Sequence, residues 1–240
     1  MDIFIGDERA CDERGAQEFA KQISSKPASV LGLATGSTPE GIYERLVDKY
    51  KAGQVSFASV KTFNLDEYLG IPINHVSSYS YYMYDKLFNH VDIQKDNINL
   101  LCPCPNSIDK ECMDFEAAIK ACGGIDLQIL GLGPNGHIGF NEPGTPFEST
   151  THLVELTEST IQANSRFFES PDQMPRQAIT MGIKTIMQAQ RIILMAKGQK
   201  KAQIIKEALT GPVTTRVPAS VLQLHPNVLV ILDRQAAAML

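Results

Sequence analysis

Residues 125–130 read Ile125-Asp126-Leu127-Gln128-Ile129-Leu130. They run into Gly131-Leu132-Gly133-Pro134-Asn135-Gly136-His137-Ile138-Gly139-Phe140-Asn141-Glu142-Pro143-Gly144. A short apolar run that empties into a glycine-dense loop reads as a buried parallel strand. Such a strand delivers its next side chains to the carboxyl edge of a sheet, where open α/β sheets bind ligands. The loop carries one imidazole, His137, and one carboxylate, Glu142. Its glycines let backbone approach a ligand closely. Gly131, Gly133 and Gly136 also match G-x-G-x-x-G, and Glu155 follows about twenty residues on, the spacing of a dinucleotide fingerprint. That reading requires a helix opening at the third glycine. The sequence after Gly136 holds Gly139, Pro143 and Gly144, which oppose one. The loop is therefore read as a site for side-chain chemistry, with a tight structural turn as the alternative.

Working outward, apolar runs alternate with helical patterns along the whole chain. Candidate strands are Ile3–Ile5, Val30–Ala34, Val60–Leu65, Ile98–Leu101, Leu127–Leu130, His152–Leu156, Ile192–Ala196 and Val228–Leu232. Segments with helical periodicity lie between most of them, such as Gly41–Tyr50, Ser78–Phe88, Asp109–Ala121 and Lys200–Leu209. This alternation predicts an α/β fold, a doubly wound, mainly parallel, Rossmann-like sheet with helices on both faces. The chain shows no repeat, low-complexity segment or linker, so 1–240 is read as a single catalytic domain. The rhythm breaks between Gly144 and Arg176, where Pro146, Pro171 and Pro175 fall. That excursion around 144–176 is either a lid over the site or an ordinary insertion.

Composition narrows the function classes. The 240 residues with 43% hydrophobic content support one sizeable core. A net charge of −5 argues against a broad nucleic-acid surface, so an anionic substrate would need locally placed cations. No apolar stretch is long enough for a membrane span, and the start lacks the basic region of a signal peptide, so a cytoplasmic location is expected. The five cysteines form no C-x-x-C, and the histidines show no metal spacing, so neither metal nor cofactor is expected. His75, His90, His152 and His225 are read as surface or satisfied polar residues. In the aromatic cluster Tyr79, Tyr81, Tyr82, Tyr84 and Phe88, the i, i+3, i+7 set Tyr81, Tyr84 and Phe88 marks a helix face read as core.

Three further stretches carry chemistry. Thr35-Gly36-Ser37-Thr38-Pro39 follows a core strand, with Thr38 as N-cap and Pro39 as first helical residue. Free N–H groups and hydroxyls at a helix start suit a phosphate. Asn64-Leu65-Asp66-Glu67-Tyr68 places two adjacent carboxylates at a strand end. Adjacent strand residues point to opposite sides, so Asp66 or Glu67 can face a cleft as general base. Arg166 and Lys201 are candidate phosphate clamps.

Together these blocks are specific. Leu33–Pro39, Thr62–Tyr68, Gly133–Pro143, Ala163–Phe168 and Leu222–Pro226 closely resemble glucosamine-6-phosphate deaminases, in the same order and over nearly the whole chain. The resemblance implies a metal-free and cofactor-free enzyme of amino-sugar and N-acetylglucosamine catabolism. It would convert glucosamine 6-phosphate and water to fructose 6-phosphate and ammonia by aldose–ketose isomerisation. It implies that Asp66 moves a proton between C2 and C1, that His137 opens the pyranose ring and that Glu142 tunes the histidine. It implies that Ser37, Thr38, Arg166 and Lys201 hold the phosphate, with Thr35 and Gly36 against the substrate. One departure is Asn135, where many members carry aspartate. An amide can hydrogen-bond there but adds no charge. A second is Thr151-His152-Leu153-Val154-Glu155, which lacks the basic residues of the effector site that N-acetylglucosamine 6-phosphate occupies in hexameric members. With the short C-terminus, this implies an unregulated monomer or small homo-oligomer acting on a small sugar phosphate, without nucleic acid or membrane partners. A 6-phosphogluconolactonase-like hydrolase and a non-catalytic sugar-phosphate sensor are the rival readings.

Overall fold

The computed structural model describes every residue except 166, 167, 169, 171 and 172, with backbone alone at 159, 163 and 164. In chain order the elements are β1 (Asp2–Gly6), α1 (Glu8–Ser25), β2 (Val30–Leu33), α2 (Ser37–Lys51), β3 (Lys61–Asn64), β4 (Asp66–Tyr68), α3 (Tyr79–Lys86), β5 (Ile98–Asn99), α4 (Ile108–Ala121), β6 (Leu127–Leu130), β7 (His152–Glu155), α5 (Glu158–Asn164), β8 (Gln177–Thr180), α6 (Ile183–Met187), β9 (Arg191–Ala196), α7 (Ala202–Thr210) and β10 (Val228–Asp233).

Seven strands form one sheet in the order β1-β10-β9-β6-β2-β3-β5, and every pairing in it is parallel. Parallel neighbours need crossovers, which the helices supply. The register shows where those helices lie. Ile231 is level with Met195, while Ile192, three residues earlier, is level with Gln128, Gly32 and Phe63. An odd offset puts Ile231 and Phe63 on opposite faces. At Gly15, α1 lies against Ile42 of α2 and Ile231, whereas Phe115 of α4 packs edge-on against Phe63 at 5.5 Å. The sheet is thus covered on both sides, as expected. Its central strands are correspondingly apolar and buried, not alternating.

The sequence pattern misplaces one strand and misses two. His152–Glu155 is a strand, but it joins a separate antiparallel sheet, β4-β8-β7. Its alternating half-buried and exposed residues fit a sheet with one wet face. The three residues of β4 follow β3 after Leu65 alone and merge with it in any hydrophobicity profile. β8 falls just after the proline-broken stretch. The two sheets meet at Leu65, whose N–H donates to Leu33 and whose carbonyl accepts from Met181.

Chain direction sets the ligand position. From β2 the order runs through β3 to β5 on one side, and through β6, β9 and β10 on the other. That reversal opens a crevice outside the carboxyl ends of β2 and β6.

Candidate active site

A cavity of about 520 Å³ occupies this crevice, lined from the loops after β2, β3, β6 and β9. After β2, Gly36 has φ +94° and caps α2 without any side-chain hydrogen bond. That positive φ is available to glycine at little cost. Helix α2 therefore begins at Ser37, so Thr38 is not its N-cap and Pro39 is not its first residue, contrary to the capping pattern. Tyr43 donates its hydroxyl to the Ala34 carbonyl at 2.6 Å, and Tyr82 donates to the Gly36 carbonyl at 2.7 Å. With these acceptors occupied, the loop offers the cavity donors: uncapped helix N–H groups and the Ser37 and Thr38 hydroxyls. Thr35, Gly36, Ser37 and Thr38 all border the cavity.

After β3, the two carboxylates part as strand alternation requires. Asp66 borders the cavity, 8% exposed. Burial and the neighbouring Glu67 charge push its pKa up from 3.8 to about 8. Glu67 turns away and accepts from the N–H groups of Tyr68, Tyr79 and Ser80 at 2.8–2.9 Å. Burial raises its pKa too, opposed by those three bonds. Glu67 is thus a brace that fixes the start of α3, which leaves Asp66 as the carboxylate available for proton transfer.

After β6 comes the glycine-rich loop. No helix follows Gly136, which removes the dinucleotide reading, and Glu155 accepts from Gln177 across the small sheet. The His137 ring lies flat against Gly133, where a Cβ would sit 2.2 Å from Nε2. His137 borders the cavity. Its Nδ1 stands 3.5 Å from Glu142 Oε2, an ion-pair distance without hydrogen-bond alignment. Asn135 ties the loop together: its Nδ2 donates to Glu142 Oε2 at 2.7 Å, and its Oδ1 accepts from the backbone N–H of His137 at 3.3 Å. The amide therefore supplies the geometry expected of it without a charge. Burial alone would raise the Glu142 pKa. His137, the Thr160 hydroxyl and Asn135 outweigh it and bring the carboxyl down to about 2.

After β9, Lys201 ends a short 3-10 turn, donates to the Leu132 carbonyl at 2.6 Å and borders the cavity. Burial lowers its pKa. The second expected clamp, Arg166, lies outside the described residues.

Sequence reasoning missed several residues here. Tyr79 and Tyr82 line the cavity, whereas Tyr81 is exposed and Tyr84 packs edge-on against Phe88. The i, i+3 spacing of Tyr79 and Tyr82 was the available signal. Nothing local marked Thr157 and Thr160, whose hydroxyls donate to Glu142 Oε1. The other histidines are satisfied elsewhere: His225 donates from Nε2 to Ala189, and His75, His90 and His152 bond near neighbours in the chain. Among the described residues, no group of three or more His, Cys, Asp or Glu could hold a metal ion, and no helix is long and apolar enough to cross a membrane.

A raised carboxylate and an imidazole at the switch point of a doubly wound sheet, beside a phosphate-apt helix start, define a class: α/β proteins equipped for acid–base work on a phosphorylated metabolite. The chain belongs to the glucosamine-6-phosphate isomerase/6-phosphogluconolactonase family, whose model matches residues 8–231. The glucosamine-6-phosphate deaminase of Halothermothrix orenii is 53% identical over 97% of this chain and 96% of its own length. That of Thermoanaerobacter pseudethanolicus is 51% identical over 95% and 90%. A solved monomeric glucosamine-6-phosphate deaminase superposes with TM-score 0.98 at 41% identity, covering 100% of both chains. The 6-phosphogluconolactonase of Trypanosoma brucei shares the fold, with TM-score 0.79 at 20% identity over 100% of this chain and 98% of its own.

Proposed function

We propose that this chain is a glucosamine-6-phosphate deaminase, an enzyme that converts glucosamine 6-phosphate and water to fructose 6-phosphate and ammonia. The observation that carries this reading is the convergence of Asp66 and His137 on one cavity that also meets Lys201 and the start of α2. The deaminases about 50% identical over nearly the whole chain support it.

The residues divide the reaction as follows. Ser37, Thr38, Lys201 and Arg166 hold the phosphate, with Thr35 and Gly36 against the substrate. His137 takes the proton of the C1 hydroxyl and returns one to the ring oxygen, which opens the pyranose. Glu142, held by Asn135, sets its carboxylate beside the imidazole. Asp66 then carries one proton from C2 to C1 of the open chain through an enediol-type intermediate. The resulting C2 imine takes up water and releases ammonia. Asp66 must be ionised to accept the C2 proton, and the approaching ammonium of the substrate favours that state.

A lactonase would share the phosphate loop and the histidine but needs no carbon base. The buried, cavity-facing Asp66 favours the deaminase. A sensor domain needs neither. The enzyme works without metal or cofactor, as one catalytic unit in the cytoplasm. It acts as a monomer or small homo-oligomer, and N-acetylglucosamine 6-phosphate does not activate it, because 151–155 holds no Lys or Arg. The test is ammonia release from glucosamine 6-phosphate, run beside hydrolysis of 6-phosphogluconolactone. Lactone hydrolysis without ammonia release would overturn the proposal.

A further inference from the structure

Glu142 is gripped from both sides by unlike partners. Its Oε2 faces the glycine-rich loop, at 2.7 Å from Asn135 Nδ2 and 3.5 Å from His137 Nδ1. Its Oε1 faces the other way and accepts from the hydroxyls of Thr157, at 3.1 Å, and Thr160. These threonines do not belong to the loop. Thr157 is the N-cap of α5 and also accepts from the Thr160 N–H at 3.3 Å, while Thr160 lies one turn in, 3% exposed and bordering the cavity. The element that presents them runs directly on to Arg166. It packs through Leu156 and Ile161 on a cluster with Phe140, inside the glycine-rich loop, and Tyr68, two residues beyond Asp66. A carboxylate has four lone-pair sites, and here each oxygen is committed to a different part of the molecule.

We propose that Thr160, backed by Thr157, is a positioning residue that locks Glu142 against His137 and so ties ring opening to the placement of α5. The inference rests on the deaminase reading given above. A buried carboxylate bonded on one oxygen alone can rotate about its last torsion, which is a soft one. The Thr160 hydroxyl on Oε1, with the Thr157 hydroxyl 3.1 Å from both that oxygen and Thr160 Oγ1, removes that freedom and keeps Oε2 toward the imidazole. These hydroxyls also favour the ionised carboxylate without adding charge. When α5 is displaced, Glu142 loses these donors and its Oε2 is no longer held 3.5 Å from His137 Nδ1. The ring-opening step then slows, while Asp66 keeps its place in β4 through the pairing with β8.

The test compares Thr160→Val with Thr160→Ser in the full chain, using glucosamine 6-phosphate with hydrogen or deuterium at C2. For Thr160→Val, kcat falls about tenfold, the loss of one hydrogen bond to a charged group, and KM stays near wild type. The C2 isotope effect on kcat shrinks toward unity, because ring opening then limits turnover. Thr160→Ser keeps the donor and restores both values. General loosening of the fold would disturb Asp66 as well and would not shrink the isotope effect. A crystal structure of Thr160→Val gives an answer independent of activity: Glu142 Oε2 is expected to leave His137 Nδ1. The inference is overturned if Glu142 stays in place, if kcat is unchanged, or if kcat falls with an undiminished isotope effect. Wild-type protein that releases no ammonia would instead overturn the deaminase reading, and the Glu142 position would still decide the lock.

Discussion

In the seven-stranded sheet, β2, β6, β9 and β10 are buried almost end to end, and the first three reach the cavity through loops at their carboxyl ends. In the three-stranded sheet, β7 alternates between half-buried and exposed, and the adjoining α5 reaches the site through two threonine hydroxyls. The large sheet rests on a core of aliphatic side chains from nearly every element. The small one meets that core through Ile179 of β8, and its other face rests on a second cluster of a few residues, among them Tyr68, Phe140 and Phe168. Regions with less buried apolar surface open at lower free energy. The molecule thus places His137, Lys201 and the loop after β2 on its firm part, and Thr157 and Thr160 on its softer part. Asp66 stands at the seam, one residue past Leu65, where the two sheets share hydrogen bonds.

The largest effect should come from the seam. Asp66→Asn removes the buried, cavity-facing carboxylate proposed to move a proton between carbons, and an uncatalysed C2 proton is very weakly acidic. Ammonia release and exchange of the C2 hydrogen with D2O should both be lost, with kcat down by about 10⁴ or more. Retained C2 exchange would assign the carbon base elsewhere, and His137 would be the first suspect.

His137→Gln probes the firm loop and should cost less, about a hundredfold in kcat. Amino sugars open in solution, slowly, so this step has a bypass that C2 proton transfer lacks. Residual turnover should follow the solution ring-opening rate. Loss as complete as in Asp66→Asn would show that the imidazole does more than open the ring.

The phosphate clamps set one region against the other. Lys201 is anchored on the large sheet by the Leu132 carbonyl, while Arg166 belongs to the excursion. Each truncation to Ala should raise KM about ten- to a hundredfold, the scale of a lost charged hydrogen bond, and leave kcat less changed. If α5 moves with substrate, Arg166→Ala should also lower kcat and Lys201→Ala should not. Equal turnover of glucosamine and its 6-phosphate by wild type would remove phosphate recognition altogether.

How far the sequence could be read follows the same division. The large sheet was legible because strands buried on both faces must be apolar along their whole length, as in Ile192–Ala196 and Val228–Leu232. The loops at their ends were legible because function demands unusual residues there, such as the glycines around His137. The small sheet was not. β4 is three residues long, two of them carboxylates, and follows β3 without a turn. His152–Glu155 does read as a strand, but no pattern says which sheet it joins. The capping pattern put α2 at Thr38 because Ser/Thr–Pro pairs cap helices more often than glycine does. Here the loop must leave its N–H groups open, and an uncapped glycine does that. Thr157 and Thr160 were silent because a hydroxyl shows no role until its acceptor, fifteen or eighteen residues away, is brought beside it.

The smallest effect is the sharpest test of the seam, because Asp66 and Glu67 are neighbours with opposite duties. Asp66 has a folded-state pKa of about 8 against an ordinary 3.8. A raised folded pKa means that its contribution to stability is full below the unfolded value and is lost as pH rises through 8. Asp66→Asn keeps the shape and cannot ionise. Its melting temperature should therefore match wild type near pH 4 and exceed it increasingly toward pH 9, each unit of pKa difference being worth about 1.4 kcal/mol at most. Glu67→Gln should do the reverse. The carboxylate accepts three backbone N–H groups at the start of α3. An amide turns one of those acceptors into a donor that faces an N–H. The substitution should cost about 1–3 kcal/mol and lower the melting temperature across the whole range. Activity should fall with it, since α3 carries Tyr79 and Tyr82 on the cavity wall. Thermal unfolding of both variants at several pH values decides the matter. Parallel behaviour of the two would mean that the adjacent carboxylates share one environment, and that the seam does not separate a strained proton carrier from its support.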